Sequence, residues 1–490
     1  VDRRTFVLGS LGFVLGGDAV AAARFRAGDP RLRELARDVR GQLIGRSSPV
    51  YARARVPFNE RFQATRPLAV LRAAGAEDVR EAILWARRYG VRIVARSGGH
   101  SYAGYSTVEN GLVIDLGAID SIAVQRQPRT ASIGAGAQLI DVYARLAKAG
   151  ATIPAGSCPT VGVGGLALGG GVGFASRKFG TTADNVLAVK IVTADGRVLT
   201  CDKRRHADLY WACRGGGGGN FGVVTSFRFR IHPVGQASYF VLTWPWESAG
   251  DVVAAWQRFA PRAPDGLFSV CRLATGPAQP TVQAFGQFFG SEAVLAALLK
   301  PMLDVAGASL VTGTSAYIDL MKRWAGCKTL SLDQCHLGPS GSLSRERFAA
   351  KSDYVGKRLP AAGIATLGAW LEKRQGHGGG AAILDSYGGA INRVAPGATA
   401  FVHRRELFSI QYYAAIADAA GDEAALAWLR GFRTAMQPFV SGFAYQNYID
   451  PDLADWPKAY YGSNYARLRD VKSEYDPEDV FRFAQSVRPR

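Results

Sequence analysis

Residues 155–174 read Ala155-Gly156-Ser157-Cys158-Pro159-Thr160-Val161-Gly162-Val163-Gly164-Gly165-Leu166-Ala167-Leu168-Gly169-Gly170-Gly171-Val172-Gly173-Phe174. Residues 162–167 match the G-x-G-x-x-A nucleotide pattern, which needs a β-strand running straight into its first glycine; here Pro154 and Pro159 interrupt any such strand. Bare glycine amides can bind a pyrophosphate without that topology. The segment is therefore either a phosphate cradle or a set of tight turns with closely packed backbone.

Outward from this segment, two further glycine clusters stand out, Ser97-Gly98-Gly99-His100-Ser101-Tyr102 and the run from Gly215 to Gly219. The first follows an αβ unit. Residues 77–89 have an acidic start and apolar positions at helical spacing, residues 91–96 form a β-like run, and residues 111–116 resume as a second strand. Stretches 185–200, 221–234, 238–246 and 281–290 read as strands; 250–260, 291–304 and 422–437 read as helices. Strands and helices mix without strict alternation, which predicts an α+β protein rather than a doubly wound sheet. The glycine clusters end before residue 235, so a boundary is expected there.

The chain has 490 residues, 48% of them hydrophobic and 20% charged, enough for two or three folding units with a large core and far from a disordered composition. A net charge of +19 raises the question of nucleic acid. No basic arm supports it, the longest basic run being Lys203-Arg204-Arg205, and a solvated cationic surface without nucleic-acid binding is expected. Arg3-Arg4 before a short apolar stretch, with Ala21-Ala22-Ala23 behind it, resembles a twin-arginine export signal over residues 1–23. No stable membrane span is expected, and the protein is placed outside the cytoplasm, or inside it if the signal is unused. The six cysteines need no disulfide scaffold; Cys327 and Cys335 are close enough to bridge or to stay free, and Cys201 and Cys213 could equally be paired or be buried thiols. No Cys/His spacing suggests a metal.

Several motifs occur together and in order: Arg96-Ser97-Gly98-Gly99-His100-Ser101, the Ser157-Cys158 glycine segment, Trp211-Ala212-Cys213-Arg214-Gly215, Asn220-Phe221-Gly222, Tyr445-Gln446-Asn447-Tyr448, and Tyr460-Tyr461-Gly462-Ser463-Asn464. With them the chain resembles the berberine bridge enzyme-like flavoproteins of the vanillyl-alcohol oxidase superfamily. The resemblance implies a two-subdomain PCMH-type FAD-binding domain over residues 24–235. It further implies an inserted α+β substrate domain over 236–440, an antiparallel sheet covered by helices, and a segment over 441–490 that returns to the FAD domain.

It also implies FAD bound through two covalent links, His100 to the 8α-methyl and Cys158 to ring carbon 6. The cradle would comprise Arg96, Ser97, Gly98, Gly99, Ser101, Ser157, Gly162, Gly164, Gly165, Gly169, Gly170, Gly171 and Gly173, with Asn185, Val223, Asn447 and Asn464 as further candidates. An alcohol losing hydride to flavin N5 must also lose its hydroxyl proton. The resemblance assigns that proton to Tyr448, helped by Tyr387, and places Gln411 and Tyr445 against the substrate. A phenol serves as base only where neighbours favour the phenolate. The strand 408–412 offers no carboxylate where plant relatives carry an acidic base. Val172 departs from sugar-oxidising relatives, which carry a tyrosine in the triple-glycine turn.

The leading expectation is an oxidase acting on an alcohol of a carbohydrate or glycosylated small molecule, with O₂ reduced to H₂O₂. The alternatives are a natural-product tailoring oxidase and a catalytically silent flavin fold that binds polyanions. Oligomeric state is not legible.

Overall fold

Hydrophobic alternation sorts the chain into three main sheets in a computed structural model that describes residues 29–490. The export-signal expectation lies outside the described residues. The first sheet runs in the order Gln42–Gly45, Ala69–Arg72, Leu112–Asp115, Ile93–Arg96, its last three strands parallel. Helix Ala76–Arg88 makes the crossover between Ala69–Arg72 and Ile93–Arg96. Val79, Ala82, Ile83 and Ala86 form its buried stripe, and Glu77 and Asp78 occupy the first turn, where the helix dipole favours them.

The second sheet is antiparallel: Ile122–Gln125, Thr130–Gly134, Val223–Arg230, Val186–Val192, Val198–Asp202. The expected strand over 185–200 is thus two strands, turned at Asp195-Gly196. The expected helix over 291–304 also divides, into Glu292–Leu298 and Lys300–Leu303, because Pro301 has no amide to continue the first helix.

The third sheet has seven antiparallel strands in the order Ser309–Ala316, Gln236–Trp244, Thr281–Phe288, Leu267–Thr275, Gly380–Ser386, Phe408–Ala415, Phe348–Val355. Its two faces follow the period of two. Leu267, Cys271, Leu273, Leu384, Ile410 and Tyr412 pack under helices Ala249–Phe259, Ala361–Glu372 and Asp422–Met436. The alternate residues, among them Val270, Arg272, Ile383, Asp385, Gln411 and Tyr413, turn instead to a cavity against the glycine loops.

The C-terminal helix Tyr465–Tyr475 returns to the first half of the chain. There the buried Lys472 ammonium donates to the Asp476 carboxylate at 2.6 Å and to the Asn220 and Phe481 carbonyls at 2.8 and 2.7 Å. Cys327 and Cys335 form a disulfide with their Cα atoms 5.8 Å apart, and Cys201, Cys213 and Cys271 are buried free thiols. The disulfide loop leaves the substrate sheet, packs on Ile140 of helix Leu139–Ala147, and is joined to it through His336 and Asp141 at 3.1 Å.

Candidate active site

A cavity of about 570 Å³ lies between the glycine loops and the open face of the seven-stranded sheet. Ser97, Gly98, Gly99, His100, Ser101, Ser157, Cys158, Gly162, Gly164, Gly165, Gly173, Val223, Gln411, Tyr445, Asn447 and Tyr448 all line it. Segments far apart in sequence are thereby brought together.

The glycines divide into two kinds. A Cβ on Gly98 would strike the Thr160 carbonyl oxygen at 2.6 Å, one on Gly164 the Ala135 carbonyl oxygen at 2.8 Å, and those on Gly169 and Gly171 the side chains of Asn447 and Thr182. Gly98 and Gly164 are small because backbone packs on backbone, Gly169 and Gly171 because a neighbouring side chain fills the space. Gly165 has nothing within 4 Å of that point, and Gly218 only the Gly165 Cα at 3.9 Å and a leucine methyl at 4.0 Å. These two leave bare backbone facing the cavity.

The amides of Gly98, Gly99, His100, Ser101 and Tyr102 meet no acceptor among the described residues. Consecutive free N–H groups beside bare glycine backbone are the donor set that an anionic dinucleotide requires.

His100 stacks on Phe58 at 3.9 Å between ring centroids, and its Nε2 is hydrogen-bonded to the Thr160 hydroxyl at 2.9 Å. Burial lowers the imidazole to about 3, so it is neutral, with Nδ1 left unpartnered among the described residues. Cys158 is a free thiol in the wall, pushed up to about 11 by burial and, secondarily, by the Glu346 carboxylate.

On the sheet side, Tyr448 stacks on Tyr102, and Gln411 donates from Nε2 to the Tyr102 hydroxyl at 2.8 Å. Tyr445 accepts from the Gly171 amide and from Asn447 Nδ2, each at 2.9 Å, which ties the C-terminal motif to the triple-glycine turn.

Several expected residues do not reach the cavity. Arg96 is paired with Asp115 at 2.7 Å and donates to the Ala54 carbonyl at 2.5 Å. Asn185 binds the Phe179 and Thr181 carbonyls and His232, and Asn464 binds the Pro396 and Thr399 carbonyls. Gly169, Gly170 and Gly171 are packing positions behind the wall.

Tyr387 does not itself line the cavity. Its strand ends at Ser386, Gly388 turns the chain at φ +97°, and the phenol is buried among Tyr354, Ile391, Phe401 and Tyr445, its hydroxyl 2.9 Å from that of Tyr354, in the cluster against which Tyr448 packs. Tyr448 as phenolate also meets opposition. Burial holds its hydroxyl well above the ordinary phenol range, and the groups facing it, Tyr102, Asp385, Tyr445 and Tyr387, all add to that.

Asp385 was missed. It lines the cavity from strand Gly380–Ser386, no donor among the described residues reaches its carboxylate, and burial raises it to about 7. A lone carboxylate between Leu384 and Ser386 in an otherwise apolar alternating strand was the available signal. Glu346, Tyr413, Tyr102 and Arg272 were missed with it, and all four line the same cavity.

The family described as FAD binding domain matches residues 67–202, and the one described as berberine and berberine like matches residues 444–488. Berberine bridge enzyme-like Cyn d 4 of Cynodon dactylon is 34% identical over 493 residues, covering 91% of this chain and 90% of its own. The chain belongs to the berberine bridge enzyme-like family of FAD-linked oxidoreductases. The solved structure of Physcomitrella patens BBE-like 1 superposes with a TM-score of 0.87 at 33% identity, over 94% of this chain and 99% of that one. A chitooligosaccharide oxidase superposes at 0.83 with 26% identity, over 94% and 100%. The fold is the family's α+β arrangement of PCMH-type FAD-binding domain and substrate sheet. The cavity fits FAD: free amides at 98–102 and bare backbone at Gly165 and Gly218 would take the dinucleotide, and His100 and Cys158 stand in the same wall.

Proposed function

We propose that this family member is a bicovalent FAD oxidase that removes hydride from an alcohol carbon of a carbohydrate or glycosylated small molecule and delivers the two electrons to O₂, forming H₂O₂. Bound FAD supplies the hydride acceptor, N5 of its ring. His100 and Cys158 are the tethers.

Asp385 carries the reading. A carboxyl held near 7, free of donors and open to the cavity, is matched to taking an alcohol proton at neutral pH. Tyr448, kept protonated by burial, serves as a donor to the alcohol oxygen and fixes its direction. Hydride leaves the carbon as Asp385 takes the hydroxyl proton, and the alcohol becomes a carbonyl. Arg272, Gln411, Tyr413 and Glu346 make one wall polar, which supports a hydroxylated substrate, as does the similarity to a chitooligosaccharide oxidase.

Val172, Phe174, Phe268, Phe285 and Trp324 make another wall apolar and favour a second reading, oxidation of a less polar natural-product alcohol. O₂ uptake and H₂O₂ release by the holoprotein, with a panel of neutral oligosaccharides beside aromatic and polycyclic alcohols, separate the two. Turnover of no alcohol at all defeats both.

Export through residues 1–23 belongs to the same proposal, and the Cys327–Cys335 bridge supports it, because such bonds persist in oxidising compartments. Intact mass of secreted protein, showing cleavage near Ala23 or its absence, tests export.

A further inference from the structure

Joining Cys158 to a ring carbon requires a thiolate, since the thiolate and not the thiol is the nucleophile. Burial puts this thiol at about 11, so a group nearby must take its proton. The neighbours divide the task. The Thr160 amide and hydroxyl and the Val161 amide favour negative charge on the sulfur without removing the proton. His100 is a poor acceptor: burial lowers it to about 3, and its Nε2 is already engaged by Thr160.

Two carboxylates line the cavity, Asp385 and Glu346, and of these Glu346 stands on the tether side, its backbone bonded to Phe58, which stacks on His100, itself bonded to Thr160 two residues from Cys158. Its position is fixed from three sides. Its amide donates to the Phe58 carbonyl at 3.4 Å, its carbonyl accepts from the Glu60 amide at 2.9 Å, and one carboxylate oxygen accepts from the Tyr413 hydroxyl at 2.9 Å. Phe58 is the ring stacked on His100, so Glu346 is anchored beside one tether and lines the same cavity as the other. Its second oxygen has no donor among the described residues, and the side chain is exposed, which gives the proton a route to water.

We propose that Glu346 is the base that accepts the Cys158 thiol proton when this cysteine is joined to the flavin. This rests on the bicovalent reading above. In the balanced step the S–H and ring C6–H bonds break and the S–C6 bond forms. One proton leaves through Glu346, and the two electrons and two protons released reduce O₂ to H₂O₂. Glu346 has no part in the His100 link, which therefore serves as an internal control for folding and FAD binding.

The test is peptide mass mapping of acid-denatured protein, with a time course of attachment after apoprotein is mixed with FAD in air. Wild-type protein is expected to carry flavin on both His100 and Cys158. In Glu346→Gln, attachment at Cys158 should slow by about 10²-fold or more, the scale of a lost general base. Its His100 link should form normally and its Cys158 should stay open to alkylation. The residual rate should climb with pH as hydroxide replaces the missing base. Glu346→Asp should recover part of the rate. Attachment at Cys158 in Glu346→Gln at the wild-type rate overturns the proposal. Wild-type protein with no flavin on Cys158 overturns the bicovalent reading and takes this proposal with it.

Discussion

Tyr448 lies face to face with Tyr102, ring centroids 5.1 Å apart and planes within 7°, and Tyr102 is held in turn by Gln411 at 2.8 Å. The stack holds the Tyr448 ring in place at the cavity wall. Tyr448→Phe keeps the stack and removes the donor. Turnover should fall by about 10²- to 10⁴-fold, the range for a positioned proton-handling group, with flavin content unchanged. Steady-state rates beside the visible spectrum of the same preparation check this.

The pH profile should be set by Asp385. It works as a base only when ionised, so kcat/KM should fall as pH drops below about 7, and Asp385→Asn should abolish turnover at every pH. Stability runs the other way. A carboxyl raised on folding contributes fully below its unfolded value, about 3.9, and that contribution is lost as pH rises through about 7. Asp385→Asn should therefore raise Tm at pH 8 and leave it nearly unchanged near pH 4, as thermal unfolding across pH would show.

Gly165 separates cofactor space from packing space. It sits in helix Val163–Leu168, and nothing lies within 4 Å of the point where an added methyl group would stand. Gly165→Ala should therefore stabilise the apoprotein by up to about 1 kcal/mol while lowering FAD loading. Gly98→Ala, which runs into backbone at Gly162 and Thr160, should instead destabilise the protein itself. Apoprotein Tm and flavin-to-protein ratio measured together distinguish the two effects.

The disulfide loop should respond to pH and to reductant. Its two ends, Trp324 and Glu346, line the cavity, and His336 fastens it to Asp141 of the other domain. The hydrogen bond and charge of Asp141 raise His336, so the fastening is complete below about 6.5 and is lost as pH rises through the raised value. Proteolytic nicking within residues 328–343 should increase above neutral pH. Cys327→Ser with Cys335→Ser should increase it at all pH values, with a loop-closure loss of about 2–3 kcal/mol.

The loop side of the cavity was legible where its residues stand in contiguous runs, His100 within 96–101, Cys158 beside its glycines and Tyr448 within 445–448, while Arg96, Asn185 and Asn464 lie away from it. The substrate side is written across strands. The period of two tells that Asp385 and Leu384 face opposite ways, but only the strand order puts Asp385, Gln411 and Tyr413 over the cavity. Tyr387 illustrates a related point. It has the parity of Asp385, yet the strand stops one residue before it and the Gly388 turn leaves its phenol behind the cavity wall, in the cluster against which Tyr448 packs. Glu346 follows the long loop after Trp324, whose path only the fold reveals, and no local pattern marks it.

Whether Asp385 drives hydride transfer from a sugar to the flavin is tested most directly by anaerobic mixing of the holoprotein with neutral oligosaccharides while the flavin absorbance is followed, in wild type and in Asp385→Asn. Rapid bleaching of wild type by at least one sugar is predicted, with recovery of colour and H₂O₂ formation when O₂ is admitted, and no bleaching of the variant. A flavin that stays oxidised with every sugar, or an Asp385→Asn protein that bleaches as fast as wild type, would contradict that assignment.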